Sequence, residues 1–184
     1  MNETPEHDEK NSNFWKELVK LILLSLVIVV PFRFYIAQPF IVDGTSMAPT
    51  YETGDYLIVD ELSYRFKTPE RGSIVIFEHP RDSKTLIKRI IGLPGETVTI
   101  TDGLVTIINS EYPEGFALDE PYVKLFRKDS STRTLGVDEY FVLGDNRAAS
   151  SDSRIWGPVP KENIIGRPII RLLPPALFPG DNSK

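Results

Sequence analysis

Two hydropathy patterns divide the chain. Leu18-Val19-Lys20-Leu21-Ile22-Leu23-Leu24-Ser25-Leu26-Val27-Ile28-Val29-Val30-Pro31-Phe32 is a nearly unbroken apolar run. Beyond residue 37, short segments alternate apolar and polar residues. That period of two belongs to strands with one buried face. Residues 55–59, 73–77, 86–91, 97–101, 104–108, 140–143 and 164–172 each read as a strand bounded by turn residues. Asp102-Gly103 suits a two-residue hairpin turn, and Gly92-Leu93-Pro94-Gly95 marks another break. No helical period of useful length follows residue 37. The expected body is mainly β, an antiparallel sheet coiled or closed on itself, with residues 109–136 as an irregular excursion.

The apolar run is expected to be one N-terminal transmembrane helix. Its charge-free core, residues 21–32, is short for a span. Counted from residue 18 to 36, a helix covers about 28 Å, close to one hydrocarbon thickness. Lys20 and Arg33 lie near opposite ends and can reach the headgroups. Tyr35, two places before Ala37, is too large for signal-peptide cleavage there. Lys10, Lys16 and Lys20 precede the charge-free core and only Arg33 follows closely, which puts the N-terminus in the cytoplasm and the body outside. The expected organisation is a disordered cytoplasmic tail (1–13), an anchor (14–37), a β-rich catalytic domain (38–178) and a polar tail (179–184).

Composition removes several chemistries. The chain has no cysteine, so disulfides, thiol catalysis and thiolate metal sites are absent. Its two histidines, His7 and His79, are too few and too far apart in sequence to suggest a zinc site. Net charge is -5 and no basic cluster follows the apolar run, which argues against a nucleic-acid partner. No metal and no cofactor is expected.

The remaining chemistry lies in three segments. Asp43-Gly44-Thr45-Ser46-Met47-Ala48-Pro49-Thr50 places a serine in a loop, with a glycine that lets the backbone approach a substrate and turn N–H groups toward it. Thr85-Leu86-Ile87-Lys88-Arg89-Ile90-Ile91 reads as a strand with Lys88 on the face of Leu86 and Ile90. Burial there would lower the lysine's pKa and let a neutral amine take the Ser46 proton. An edge-strand lysine in solvent, beside a solvated Arg89, is the plain alternative. Gly144-Asp145-Asn146-Arg147-Ala148-Ala149-Ser150-Ser151-Asp152-Ser153-Arg154 gathers groups able to orient such a lysine, or it is simply a solvated polar loop.

Together these segments resemble the bacterial type I signal peptidase family. The resemblance rests on Ser46-Met47-Ala48-Pro49-Thr50, Gly54-Asp55-Tyr56-Leu57-Ile58-Val59, Lys88-Arg89-Ile90-Ile91-Gly92-Leu93-Pro94-Gly95-Glu96 and the 144–154 segment, in that order. It implies a Ser/Lys endopeptidase with Ser46 as nucleophile and Lys88 as general base. It implies that Ser150 hydrogen-bonds the lysine, that Asp152 and Arg154 prop the site, and that Asp145 and Arg89 form a supporting ion pair. The implied substrates are secreted precursors with small residues at the first and third positions before the cut, read by apolar pockets lined by Phe40, Val42, Met47 and Ile87. Many members carry a serine two residues before the nucleophile. Gly44 stands there instead, so the oxyanion hole is expected to use backbone N–H, chiefly that of Ser46. Ala148 and Ala149 replace a polar pair often found in the last block.

Such an enzyme would sit in the bacterial cytoplasmic membrane, its partners the lipid bilayer and signal-peptide-bearing precursors. Phe32, Phe34, Tyr35, Phe40 and the apolar residues 172–178 are expected to dip into the headgroups, or Leu177 and Phe178 to cover a core edge. The competing readings are a self-cleaving regulator of the repressor type, a histidine triad using His79, and a catalytically silent anchored β-module that binds extended peptides. The first lacks a DNA-binding segment, the second lacks evident partners for His79, and retention of Ser46 and Lys88 argues against the third.

Overall fold

The computed structural model describes residues 7–35, 37–173 and 176–177. Helix α1, His7–Tyr35, comes first. It begins within the tail expected to be disordered; residues 1–6 lie outside the described set. Among the described residues no helix is long and apolar enough to cross a membrane. Lys16, Glu17 and Lys20 charge the first half of α1 and shorten its apolar stretch.

The larger sheet contains β1 (Ala37–Ile41), β2 (Tyr56–Asp60), β3 (Ile74–Glu78), β4 (Thr85–Gly92), β9 (Glu139–Leu143), β10 (Val159–Pro160), β11 (Ile164–Leu173) and β12 (Ala176–Leu177). Its order is β1-β2-β11-β3-β4-β9-β10, with β12 added on β11. The smaller sheet runs β7-β6-β5-β8, from β5 (Thr97–Thr101), β6 (Leu104–Ile108), β7 (Phe116–Ala117) and β8 (Ser131–Thr134). All strand pairs are antiparallel. Among the described residues the large sheet is an open path rather than a closed barrel. It coils through register shifts in β11 against β2 and β3 and in β4 against β9.

Period-two alternation sorts side chains onto the two faces. Val75, Phe77, Ile90, Tyr140 and Val142 pack in one cluster with Trp156 and Val159. Ile76 and Ile87 face the other way and join Val42, Met47, Tyr51, Leu57 and Val59. Ile91, Phe141 and Leu143 also face that way but pack against Val98, Ile100, Val105 and Ile107, fastening the small sheet to the large one. The Asp102-Gly103 turn forms as expected, both residues at positive φ (50° and 86°), the geometry of the tightest hairpins.

Residues 109–136 are not wholly an excursion. They supply β7 and β8, which edge the small sheet. Their composition is polar because these edge strands leave most side chains in solvent. Helices after α1 are single turns, α2 (Ser63–Phe66) and α3 (Ser153–Trp156), alongside short 3-10 turns. The side chains of residues 32, 34, 35 and 177, and all of Phe178, lie outside the described set. The backbone of Leu177 pairs with Ile170 in β11.

Candidate active site

Lys88 does not lie on an edge. Its strand β4 runs between β3 and β9, with Val75 as its partner on β3. Leu86 and Ile90, on the same face, pack in the cluster built on Val75 and Phe77. Lys88 is 3% exposed. Arg89 pairs with Leu143, the last residue of β9, so Gly144 is the next residue beside Lys88. Gly144 has no room for a side chain: an added Cβ would lie 2.3 Å from Ser150 Oγ and 2.5 Å from the Ser46 carbonyl oxygen.

Ser46 reaches the lysine from the loop between β1 and β2. Lys88 Nζ lies 2.7 Å from Ser46 Oγ and donates to the Ile87 carbonyl at 2.9 Å. Burial, which disfavours the ammonium, pushes the Lys88 pKa down to about 8 against the partial opposition of Asp152 and Asp145. At pH 7 about a tenth of the amine is then neutral, the state a general base requires, against less than about a thousandth at the ordinary lysine value.

The Ser46 loop is stitched to the loop that follows β9. Asn146 donates its backbone N–H to the Ser46 carbonyl at 3.0 Å and its side-chain amide to the Thr45 carbonyl at 3.2 Å. Thr50 donates its hydroxyl to Asp145 at 2.5 Å. The Ser46 N–H has no partner among the described residues and is free for an incoming oxyanion. Gly44 is different: its N–H donates to Thr53 Oγ1 at 3.1 Å, so it does not serve as expected in this arrangement. Its φ of +100° explains why glycine stands there.

Two expected ion pairs form. Arg89 grips Asp145 with two N–H groups, at 2.8 and 2.6 Å, and donates a third to the Gly72 carbonyl. It is therefore no solvated cation. Asp152 is fully buried; it accepts from Arg154 Nε and Nη2, both at 2.8 Å, and from the Gly144 N–H at 3.2 Å. The expected bond from Ser150 to the lysine is absent. Ser150 Oγ is buried without a partner, packed against Gly144, while Lys88 takes the Ile87 carbonyl instead.

Val42, Met47 and Ile87 sit together as expected, and Phe40 packs against them. The first three are almost completely buried, so they form the floor under the nucleophile loop rather than walls open to solvent. His79 accepts from the Arg81 and Asp82 N–H groups and edges the Trp156 ring, an arrangement that leaves it in its own hairpin and not in a triad. Sequence reasoning missed Asn146, which lay inside the quoted block but carried no signal of which backbone it would bind. It also missed Glu120 and Asp129, which pair with Arg147 and Arg154.

Comparison with known proteins identifies the family. The family model "Signal peptidase, peptidase S26" matches residues 15–173. A signal peptidase I from Leptolyngbya laminosa is 39% identical, covering 86% of this chain and 79% of that one. A probable signal peptidase I-1 from Synechocystis is 36% identical, covering 88% of this chain and 84% of that one. A solved signal peptidase I from Enterococcus faecalis superposes with a TM-score of 0.47 at 34% identity, covering 55% of this chain and 97% of that one. The reading as a silent binding module is thereby set aside: the chain belongs to the signal peptidase family, peptidase S26, as a hydrolase of the type I class.

Proposed function

We propose that signal-peptide removal by this S26 peptidase runs on a Ser46–Lys88 dyad. The observation that carries the reading is a buried lysine amine 2.7 Å from a loop serine hydroxyl, with its pKa near 8. Neutral Lys88 takes the Ser46 proton as Oγ bonds to the scissile carbonyl carbon. The Ser46 N–H receives the oxyanion. The Lys88 ammonium then protonates the departing amine, leaving an ester on Ser46. Water attacks the ester, Lys88 takes its proton, and the serine is restored as the signal peptide's new carboxyl end departs. Asp145–Arg89 and Asp152–Arg154 hold the surrounding loops, and Ser150, buried against Gly144 without a partner, has its hydroxyl available to the amine. Half-buried Phe40, packed on Val42, Met47 and Ile87, is the part of this apolar cluster open to small residues before the cut.

Helix α1 anchors this chemistry at a bilayer. Leu21, Leu23, Leu24, Leu26 and Val27 are all exposed on it, an apolar surface that lipid can cover. The positive charge before the apolar run supports a cytoplasmic N-terminus, with the body on the outer side of a bacterial cytoplasmic membrane. The test is the full chain in detergent, incubated with a signal-peptide-bearing precursor, with N-terminal sequencing of the product. Lys88→Met should lose at least about 10²-fold in kcat, the usual contribution of a general base, and Ser46→Ala, which lacks the attacking oxygen, should be inert. Wild-type turnover by Lys88→Met would overturn the dyad.

A further inference from the structure

The loop after β9 carries more charge than the two expected ion pairs use, and the surplus leads to the segment between β7 and β8. Arg147 is 3% exposed. It donates Nη1 to Glu120 Oε2 at 3.0 Å, Nη2 to Glu120 Oε1, and Nε to the Gly144 carbonyl at 3.1 Å. Glu120 Oε1 also accepts the Tyr122 hydroxyl at 2.9 Å. The Tyr122 ring lies under the Arg89 guanidinium, 3.9 Å from centroid to Cζ. Arg154 donates Nη1 to Asp129 at 2.9 Å and Nη2 to the Arg147 carbonyl at 2.9 Å.

These contacts have one geometric effect. The two guanidinium groups clamp the carbonyls of Gly144 and Arg147, on either side of Asn146. Asn146 is the residue whose N–H fixes the Ser46 carbonyl. Meanwhile Tyr122 buttresses Arg89, the strand neighbour of Lys88. One carboxylate is thus linked both to the loop that holds the nucleophile and to the strand that carries the base. We infer that Glu120, acting through Arg147 and Tyr122, is a positioning residue that sets the Ser46–Lys88 distance. The inference rests on the dyad reading above.

A clamp of this kind is stiff because it is dry. A buried, forked arginine–carboxylate pair has fixed geometry, and removing one partner leaves an unpaired buried charge. Glu120→Gln keeps the shape but drops the charge. Arg147→Lys keeps a charge but loses the fork and the Nε contact with Gly144. Either change frees the loop, lets Ser46 drift from Nζ and admits water to Lys88. The charged groups acting on Lys88 are Asp152 and Asp145, both on that loop; β3 offers it Val75 and the nucleophile loop offers Ser46.

The experiment uses the full chain in detergent and a peptide spanning a signal-peptide cleavage site. Both variants should lose about 10²-fold in kcat, as a misplaced reactive group does, with KM changed less than about threefold. The midpoint of the pH–rate profile should rise by about one unit as water reaches the amine. A fall in melting temperature with kcat and pH midpoint unchanged would overturn the inference and leave Glu120 a purely structural partner. If one variant fails to fold, the other decides by the same readouts. Lys88→Met is measured beside them. If it is inert while Glu120→Gln matches wild type, the clamp is wrong and the dyad stands; if it retains turnover, the dyad itself is wrong.

Discussion

At the scale of the residue, Lys88 decides the chemistry and also exacts a stability cost. Its folded pKa, about 8, lies below the ordinary value of 10.5. Turnover should therefore rise about tenfold per pH unit below 8 and level off above about pH 9, where nearly all the amine is neutral. A pH–kcat profile on a peptide substrate checks this; a flat profile between pH 6 and 9 contradicts it. The same shift is linked to folding. Between pH 8 and 10.5 the unfolded chain holds a proton on this amine that the folded chain does not, so stability rises with pH across that window. Below pH 8 both states are protonated and the penalty is constant, on the order of 3 kcal/mol. Lys88→Met removes it. Melting temperature should be higher in Lys88→Met than in wild type at pH 7, with the gap closing as pH approaches 10.5. A gap independent of pH would show that burial does not depress the amine.

At the scale of the element, the decisive feature is where β9 stops. The strand ends at Leu143, and Gly144 begins a loop pressed against Ser46 and Ser150. Gly144→Ala would force its methyl into the Ser46 carbonyl, a backbone atom that cannot step aside. Overpacking of this sort costs about 1–3 kcal/mol, and displacement of Ser46 should lower kcat by about 10²-fold. Stopped kinetics and a denaturant melt on the same variant check both figures; wild-type kcat would mean the loop yields freely. The strands around this point were legible in the sequence because residues such as Val75, Phe77, Ile90 and Val142 alternate cleanly with their neighbours. Lys88 was legible for the same reason, set between Leu86 and Ile90 on one face. β7, β8 and β10 were not, since they are short edge strands with little apolar pattern. β1 was hidden because Gln38, Pro39 and Phe40 read as the exit of the apolar run. Glu120, the partner of Arg147, and Asp129, the second partner of Arg154 beside Asp152, were out of reach for another reason: among 26 acidic residues, no local spacing singles them out. The lysine's second partner was missed because a strand's own carbonyl, that of Ile87, leaves no trace in the sequence.

At the scale of the whole molecule, the site and the helix α1 are built separately. Among the described residues, the three apolar clusters that set β2, β4 and β9 contain none from α1. The dyad and its supporting ion pairs draw only on residues from Ser46 onward. A body beginning at residue 37 keeps β1 and its pairing with β2. It should therefore cleave a short soluble peptide in detergent with kcat/KM within about threefold of the full chain, since no contact made in the transition state is lost. Its action on a precursor held in lipid vesicles should fall far more, by about 10²–10⁴-fold, because tethering to the same surface raises the effective concentration of the cut site. Measuring both substrates with both proteins separates the two roles. Equal losses on peptide and vesicle would mean that α1 helps shape the active site. Equal retention on both would mean that it does not bring the enzyme to the bilayer, and the exposed leucines of α1 would then need a different partner.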